Sequence, residues 1–218
     1  MRKINLLRSL PKVKRSIKNR FKKKNIEAVK ISRQYGQKYF DGDRKYGYGG
    51  YNYDGRWKPV ARDIIKIYKL KKNSKILDIG CAKGFLVKDL LDKKMNAFGI
   101  DISEYAIKNC HKDAIGRISI CNAKKLPYPD KSFDFVISLN TLHNLNKYDC
   151  MKSLKEIQRI SKGKSFVQVD SYRNFKEKKI FLNWVLTAKY HDYPKKWLNL
   201  FKKAGYKGDY YWTIIKWK

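Results

Sequence analysis

The stretch "KILDIGCAKGFLVKDL", residues 75 to 90, constrains the fold of this chain more than any other. Residues 75 to 79 are apolar apart from Lys75 and Asp78, the pattern of a buried strand. Glycines at 80 and 84 bracket a short turn, and a helical pattern follows with Leu86, Leu90 and Leu91 on one side. A strand running through a glycine turn into a helix opens a βαβ unit, which predicts a parallel sheet covered by helices. Ligands of such sheets lie beyond the carboxyl ends of the strands, where the strand order reverses.

The alternation continues along the chain. Helices are expected over 60–70, 84–94, 103–110 (with Ser103 as N-cap), 148–162 and 194–206, the last opened by Pro194 and closed at Gly205. Strands are expected at 75–79, 96–101, 117–123, 133–140, 165–170 and 209–217. The fold class is therefore α/β, a Rossmann-like, doubly wound and mostly parallel sheet with helices on both faces. Residues 59–218 form that domain, and the 171–193 insertion is expected to act as a substrate lid. Residues 1–58 precede it as an arm and a cap.

The glycine turn narrows the ligand. A dinucleotide fingerprint needs G-x-G-x-x-G, whereas Ala82 takes the second glycine's place and Phe85 the third's. No G-x-x-x-x-G-K-[ST] phosphate loop is present in the sequence. Asp78, just before the turn, would repel a pyrophosphate and suits a ligand carrying positive charge. Asp101 ends the second strand, where a carboxylate accepts hydrogen bonds from ribose hydroxyls. A positive amino group and a ribose without phosphate describe S-adenosylmethionine.

With those residues in place, the sequence resembles class I S-adenosylmethionine-dependent methyltransferases, in particular the small type 11-like group. The resemblance covers residues 60–170 well and 194–218 loosely. It implies cofactor contacts from Asp78, Gly80, Cys81, Ala82 and Gly84 in "LDIGCAKG", and from Asp101 and Ile102 in "FGIDIS". In "CNAKKLPYPDKSFDFVISLNTLHNL" it implies Asn122 and Ala123 at the adenine, with Leu139 and Asn140 beneath the transferring methyl. Asn122 stands where the family has an aspartate. Only one clear strand follows the last helix, where the family has a terminal hairpin. The segment "YFDGDRKYGYGGYNYDGRWKPV" followed by "GCAKGFLVKDL" further resembles small methyltransferases of surface-polysaccharide and sugar modification.

The chain carries 52 Lys and Arg against 19 Asp and Glu, a net charge of +33. Such a balance favours anionic partners. Residues 1–24 hold eleven Lys or Arg and no acid, with Leu10, Val13, Ile17 and Phe21 at helical spacing. This basic amphipathic arm suits an anionic surface of membrane, glycan or nucleic acid. Residues 35–57 hold six tyrosines and six glycines, the composition of an ordered aromatic loop closing over a flat ligand. No CxxC pair, signal peptide or membrane-length apolar run stands out, so no metal is expected. The expected setting is the cytoplasm, with peripheral membrane contact through the arm left open.

Methyl transfer is an in-line displacement for which the protein aligns donor and acceptor. An alcohol acceptor also gains from a base. His143, on the loop after the central strand, and Asp170, at the end of the next, are the candidates. Tyr48, Tyr51, Tyr53, Arg56 and Arg173 are candidate acceptor contacts. The expected activity is O-methylation of a small or glycan-type, anionic acceptor: a sugar, a nucleotide-linked or phosphorylated metabolite, or a surface-polysaccharide unit. An RNA methyltransferase is the alternative that the charge supports, although "LNTLHN" stands where an Asn-Pro-Pro-Tyr-type segment would grip a flipped base. A non-catalytic cofactor-binding partner protein is the other.

Overall fold

A computed structural model describes residues 1–11 and 22–215. Six strands form one parallel sheet in the order β3-β2-β1-β4-β5-β6. They are β1 (Lys75–Ile79), β2 (Asn96–Asp101), β3 (Ile118–Ile120), β4 (Phe135–Leu139), β5 (Ser165–Ser171) and β6 (Asp209–Ile214). The order reverses between β1 and β4, which places a ligand crevice at their carboxyl ends. The helices are α1 (Ile26–Ser32), α2 (Gln37–Phe40), α3 (Lys58–Tyr68), α4 (Phe85–Asp92), α5 (Glu104–Lys108), α6 (Lys147–Ile160), α7 (Phe175–Trp184) and α8 (Pro194–Lys203). The Rossmann-like fold read from the sequence is the observed one.

Both faces of the sheet are buried, so successive residues of each central strand alternate between two apolar layers. Leu77, Ile79, Val136, Val167 and Val169 face one layer, with Leu154 and Ile157 of α6 and Trp197 and Phe201 of α8. Ile76, Phe135, Ile137 and Phe166 face the other, with Ile64 of α3 and Leu86 and Leu90 of α4. Ser103 caps α5, accepting from the Ala106 amide, and Pro194 opens α8.

Several sequence expectations change. The strand expected over 117–123 is three residues long, because the chain leaves the sheet at Cys121 for a turn. Among the described residues β6 has no hairpin partner; it pairs directly and in parallel with β5. Its other edge meets the first residues instead: the Ile4 amide donates to the Tyr210 carbonyl and the Tyr210 amide to the Arg2 carbonyl. Arg2 also forms an ion pair of 2.7 Å with Asp209. The insertion 171–193, expected as a substrate lid, contains α7, capped by Asn174. α1, capped by Asn25, was likewise not expected.

The basic arm is divided. Most of its helical spacing falls on 12–21, outside the described residues. Residues 1–11 are part of the domain: Leu6 is fully buried in the layer that holds Val60, Ala61 and Ile64, and Ser9 donates to Asp63 at 2.6 Å. A boundary at residue 58 therefore separates residues that share one core. Leu6→Ala is expected to lower stability by about 2–5 kcal/mol, the usual cost of emptying a buried leucine site. Urea unfolding measures it; a change under about 0.5 kcal/mol would mean that the segment merely rests on the surface.

Candidate active site

The turn after β1 is shaped by backbone conformations that side chains resist. Gly80 has φ +81°, and a Cβ there would lie 2.1 Å from the Thr141 Oγ1. The loop after β4 thus closes directly on this turn. Gly84 has φ +73°, and a Cβ there would lie 2.8 Å from that of Ala114. The Ala114 and Ile118 side chains thus approach this turn closely. Ala82, at φ +50°, donates its amide to the Asp101 Oδ2 at 2.8 Å. The Ser103 amide donates to Asp101 Oδ1 at 2.9 Å.

Asp78 is 4% exposed. Burial, then the nearby negative charge of Asp101, pushes its carboxyl up to about 7. Among the described residues no hydrogen bond or ion pair engages that carboxylate. Asp101 is also raised by burial, while the Ser103, Ala82 and Ile102 amides pull against the rise. Two carboxylates therefore face the crevice with no cation between them. Cys81, raised by burial and then by both acids, stays a thiol. Ile102 is 54% exposed beside them. Ala123 is buried, while the Asn122 Oδ1 accepts from the Lys124 amide at 3.2 Å. Leu139 ends β4. The Asn140 side chain is held toward β6, accepting from the Thr213 hydroxyl at 2.8 Å.

The tyrosine-rich segment folds over these strand ends. Tyr35, Tyr39, Phe40 and Tyr51 pack with Ala82, Tyr105 and Ala106, and Tyr48 stacks on Phe40 at 5.7 Å. Tyr48 and Tyr51 lie 4.4 Å apart, and Tyr51 stacks on Phe85 at 4.8 Å. One aspartate latches this cap: Asp41 accepts from Lys83 Nζ at 2.7 Å, the Tyr105 hydroxyl at 2.7 Å and the Tyr51 amide at 3.0 Å. Burial pushes the Asp41 carboxyl up, but these donors outweigh it and hold it below its ordinary value. Arg44 reaches from the cap to lie 5.9 Å over the Trp184 ring of α7, so cap and insertion meet.

Three expected acceptor contacts are engaged elsewhere. Tyr53 donates its hydroxyl to Asp89 on α4 at 2.5 Å. Arg56 pairs with Asp54 on an exposed loop, and Arg173 pairs with Glu177 in the first turn of α7. These pairs form within a few residues, so the arginines are anchored to their own segments.

His143 and Asp170 are brought together, 27 residues apart in sequence. His143 sits in a 3-10 turn, Leu142–Asn144, and is 4% exposed. Its Nδ1 accepts from the Asp170 amide at 3.0 Å, and its Nε2 lies 3.4 Å from the Asp170 carboxylate. Burial lowers its basicity more than Asp170 raises it, so the ring is neutral with its proton on Nε2. Both nitrogens are thereby committed to Asp170. The sequence alone did not single out Lys83, Tyr105 or Thr141, and His191 ranked below His143. The glycine at 80 marked a turn, but nothing local identified Thr141 as its neighbour.

Among the described residues no cluster of three or more His, Cys, Asp or Glu side chains suits a metal. The four cysteines are free thiols. No described helix is long and apolar enough to cross a membrane.

Comparison with known proteins bears on this site. Residues 77–167 match the family model of a methyltransferase domain. Over 105 residues the chain is 31% identical to the mitochondrial arginine-hydroxylase NDUFAF5 of Rattus norvegicus, covering 47% of this chain and 30% of that protein. Over 126 residues it is 29% identical to the uncharacterized methyltransferase C70.08c of Schizosaccharomyces pombe, covering 54% of this chain and 48% of that one. The chain thus spans half or less of the length of these relatives. A SAM-dependent methyltransferase from Archaeoglobus fulgidus has the same fold, with TM-score 0.54, 19% identity and 69% of each chain covered. Residues 77–167 thus resemble a methyltransferase domain, and the sheet has the fold of the Archaeoglobus protein.

Proposed function

We propose that the chain transfers a methyl group from S-adenosyl-L-methionine to an oxygen of a small or glycan-type, anionic acceptor: a sugar, a nucleotide-linked or phosphorylated metabolite, or a surface-polysaccharide unit. The carrying observation is the buried Asp78 carboxylate beside Asp101, with no cation among the described residues to offset either charge. An ionised buried carboxylate is costly without a partner. A cationic ligand removes that cost, so the residues present fit this cofactor. When bound, the cofactor supplies an electrophilic methyl on a sulfonium.

In this reading Asp78 offsets the cofactor's positive charge. Asp101, whose carboxylate is oriented by two backbone amides, uses its remaining lone pairs for ribose hydroxyls. Ile102 and Ala123 flank the adenine, and Asn122 meets its amino group. Cys81, Ala82, Leu139 and Asn140 line the methyl end, with Gly80 and Gly84 setting the turn. The tyrosine cap, with Tyr48 and Tyr51, covers the acceptor and excludes water. The closed aromatic cap supports a small acceptor or a single glycan unit, and the +33 charge supports an anionic one.

Titration calorimetry with S-adenosyl-L-methionine tests the first half. Asp101→Ala is expected to weaken binding about 100-fold or more, since two charge-assisted hydrogen bonds are lost at roughly 1.5–3 kcal/mol each. Unchanged affinity refutes the cofactor placement. A panel of nucleotide sugars and sugar phosphates, read by S-adenosylhomocysteine release and acceptor mass, tests the second. Methylation adds one CH2 to the acceptor, whereas the hydroxylation that the NDUFAF5 name implies would add one oxygen.

A further inference from the structure

We propose that His191, held by Tyr172, is the base that takes the acceptor's proton; this rests on the methyltransferase reading above. His191 lies in the 171–193 insertion, far along the chain from the glycine turn, yet three backbone contacts draw it to the strand ends. The Lys189 and Tyr190 amides both donate to the His143 carbonyl, at 2.9 and 3.0 Å. Asp192 then bridges to Ser171 at the end of β5, and its carbonyl accepts from the Ser171 hydroxyl at 2.8 Å. Between these fixed points the His191 ring packs against Phe181 of α7 at 5.1 Å and Tyr172 at 5.8 Å.

In this proposal Tyr172 sets the tautomer. Its hydroxyl lies 3.1 Å from His191 Nδ1 and donates to the His191 carbonyl at 3.4 Å. In the proposed state the phenol proton is directed to that carbonyl and the phenol oxygen accepts from Nδ1–H. The Nε2 lone pair is then the basic one, and no hydrogen bond to it is formed among the described residues. Tyr172 is 2% exposed, and burial raises its phenol to about 12, so it keeps its proton. His143 contrasts at every point: it is deeper, and both its nitrogens face Asp170. Its role is to position Asp170.

The groups around His191 set its charge. Burial and then Lys178 on α7 lower its basicity, and the His143 side adds to the lowering. Asp192 beside it and Asp170 on β5 oppose them with smaller effect. Tyr172 faces it as a neutral phenol. The imidazole is therefore neutral and ready to accept a proton at pH 7. In the reaction the acceptor O–H bond breaks and its proton passes to Nε2. The oxygen's electron pair would form the new O–C bond, and the donor's carbon–sulfur pair would stay on sulfur, leaving a neutral thioether. Asp170 and Asp192 offset the resulting imidazolium, which returns its proton to water from this half-buried position.

Two measurements test this. In the wild-type protein, ¹⁵N-edited NMR of the imidazoles at pH 7 is expected to show His191 neutral with its proton on Nδ1, and His143 neutral with its proton on Nε2. A His191 that is charged, or protonated on Nε2, overturns the proposal without any acceptor being needed. With the soluble acceptor selected by the panel, His191→Ala is expected to lower kcat about 100-fold or more. It should abolish the acidic limb of the pH profile and be partly rescued by added imidazole, with calorimetric affinity for S-adenosyl-L-methionine unchanged. Turnover within twofold of wild type, or a loss that imidazole does not restore, overturns it. Failure of the wild-type chain to bind the cofactor would instead overturn the reading on which this rests.

Discussion

Asp78→Asn is expected to make the cofactor-free protein more stable while abolishing its cofactor binding. The carboxyl is pushed up to about 7 in the folded chain, against an ordinary value of 3.8. Between those two values the folded state holds a proton that the unfolded state has released. The fold therefore loses stability as pH rises through this window, and the full cost is present above pH 7. A rise from 3.8 to about 7 corresponds to roughly 4 kcal/mol. Asparagine carries no charge and escapes that cost. Urea unfolding should show the variant more stable by up to about 4 kcal/mol at pH 8, with the gain shrinking to about 1–2 kcal/mol at pH 5. The binding consequence has the opposite sign. A cationic cofactor favours the carboxylate, so wild-type affinity should rise with pH up to about 7 and then level, with proton release on binding below that point. A variant destabilised equally at pH 5 and pH 8 would show that Asp78 is not a strained carboxylate.

Gly80→Ala is expected to be strongly destabilising. Two costs coincide at this position. A φ of +81° strains any residue with a Cβ, by about 1–2 kcal/mol. The new methyl would also lie 2.1 Å from the Oγ1 and 2.4 Å from the Cγ2 of Thr141. Such contacts force the β1 turn and the β4 loop apart, so the total should exceed about 4 kcal/mol, and cofactor affinity should fall with it. Gly80→Ala combined with Thr141→Gly separates the two costs. The pair should recover the clash and retain only the backbone strain, which a double-mutant cycle in urea reads directly. A single variant within about 1 kcal/mol of wild type would show that the loop moves away freely.

The two sites differ in how they could be foreseen. Asp78 and Gly80 lie in one five-residue neighbourhood, and their chemistry follows from residue type and position after a strand. The same holds for Asp101 at the end of β2, for the Ser103 cap and for the apolar alternation of β1, β4 and β5. Arg56 and Arg173 show the weakness of residue type alone: each looked like an anion grip, and each is paired with an acid in its own segment. His143 shows it again. Its place after the central strand was read correctly, but whether an imidazole accepts or donates a proton depends on what its two nitrogens touch.

The amino-acid sequence by itself determined the parallel α/β sheet, the glycine turn and the acids at 78 and 101, because strand period, helix signals and the φ tolerance of glycine all act within a few residues. Only the tertiary structure decided the rest. The Asp41 latch on Lys83 spans 42 residues, the His143–Asp170 pair 27, and the Ser171–Asp192 contact that delivers His191 spans 21. The pairing of Arg2 with Asp209 spans 207. Contacts of that separation leave no period in the chain. They form where packed layers bring distant backbone together, and that is where the cap, the base and the edge of the sheet are set.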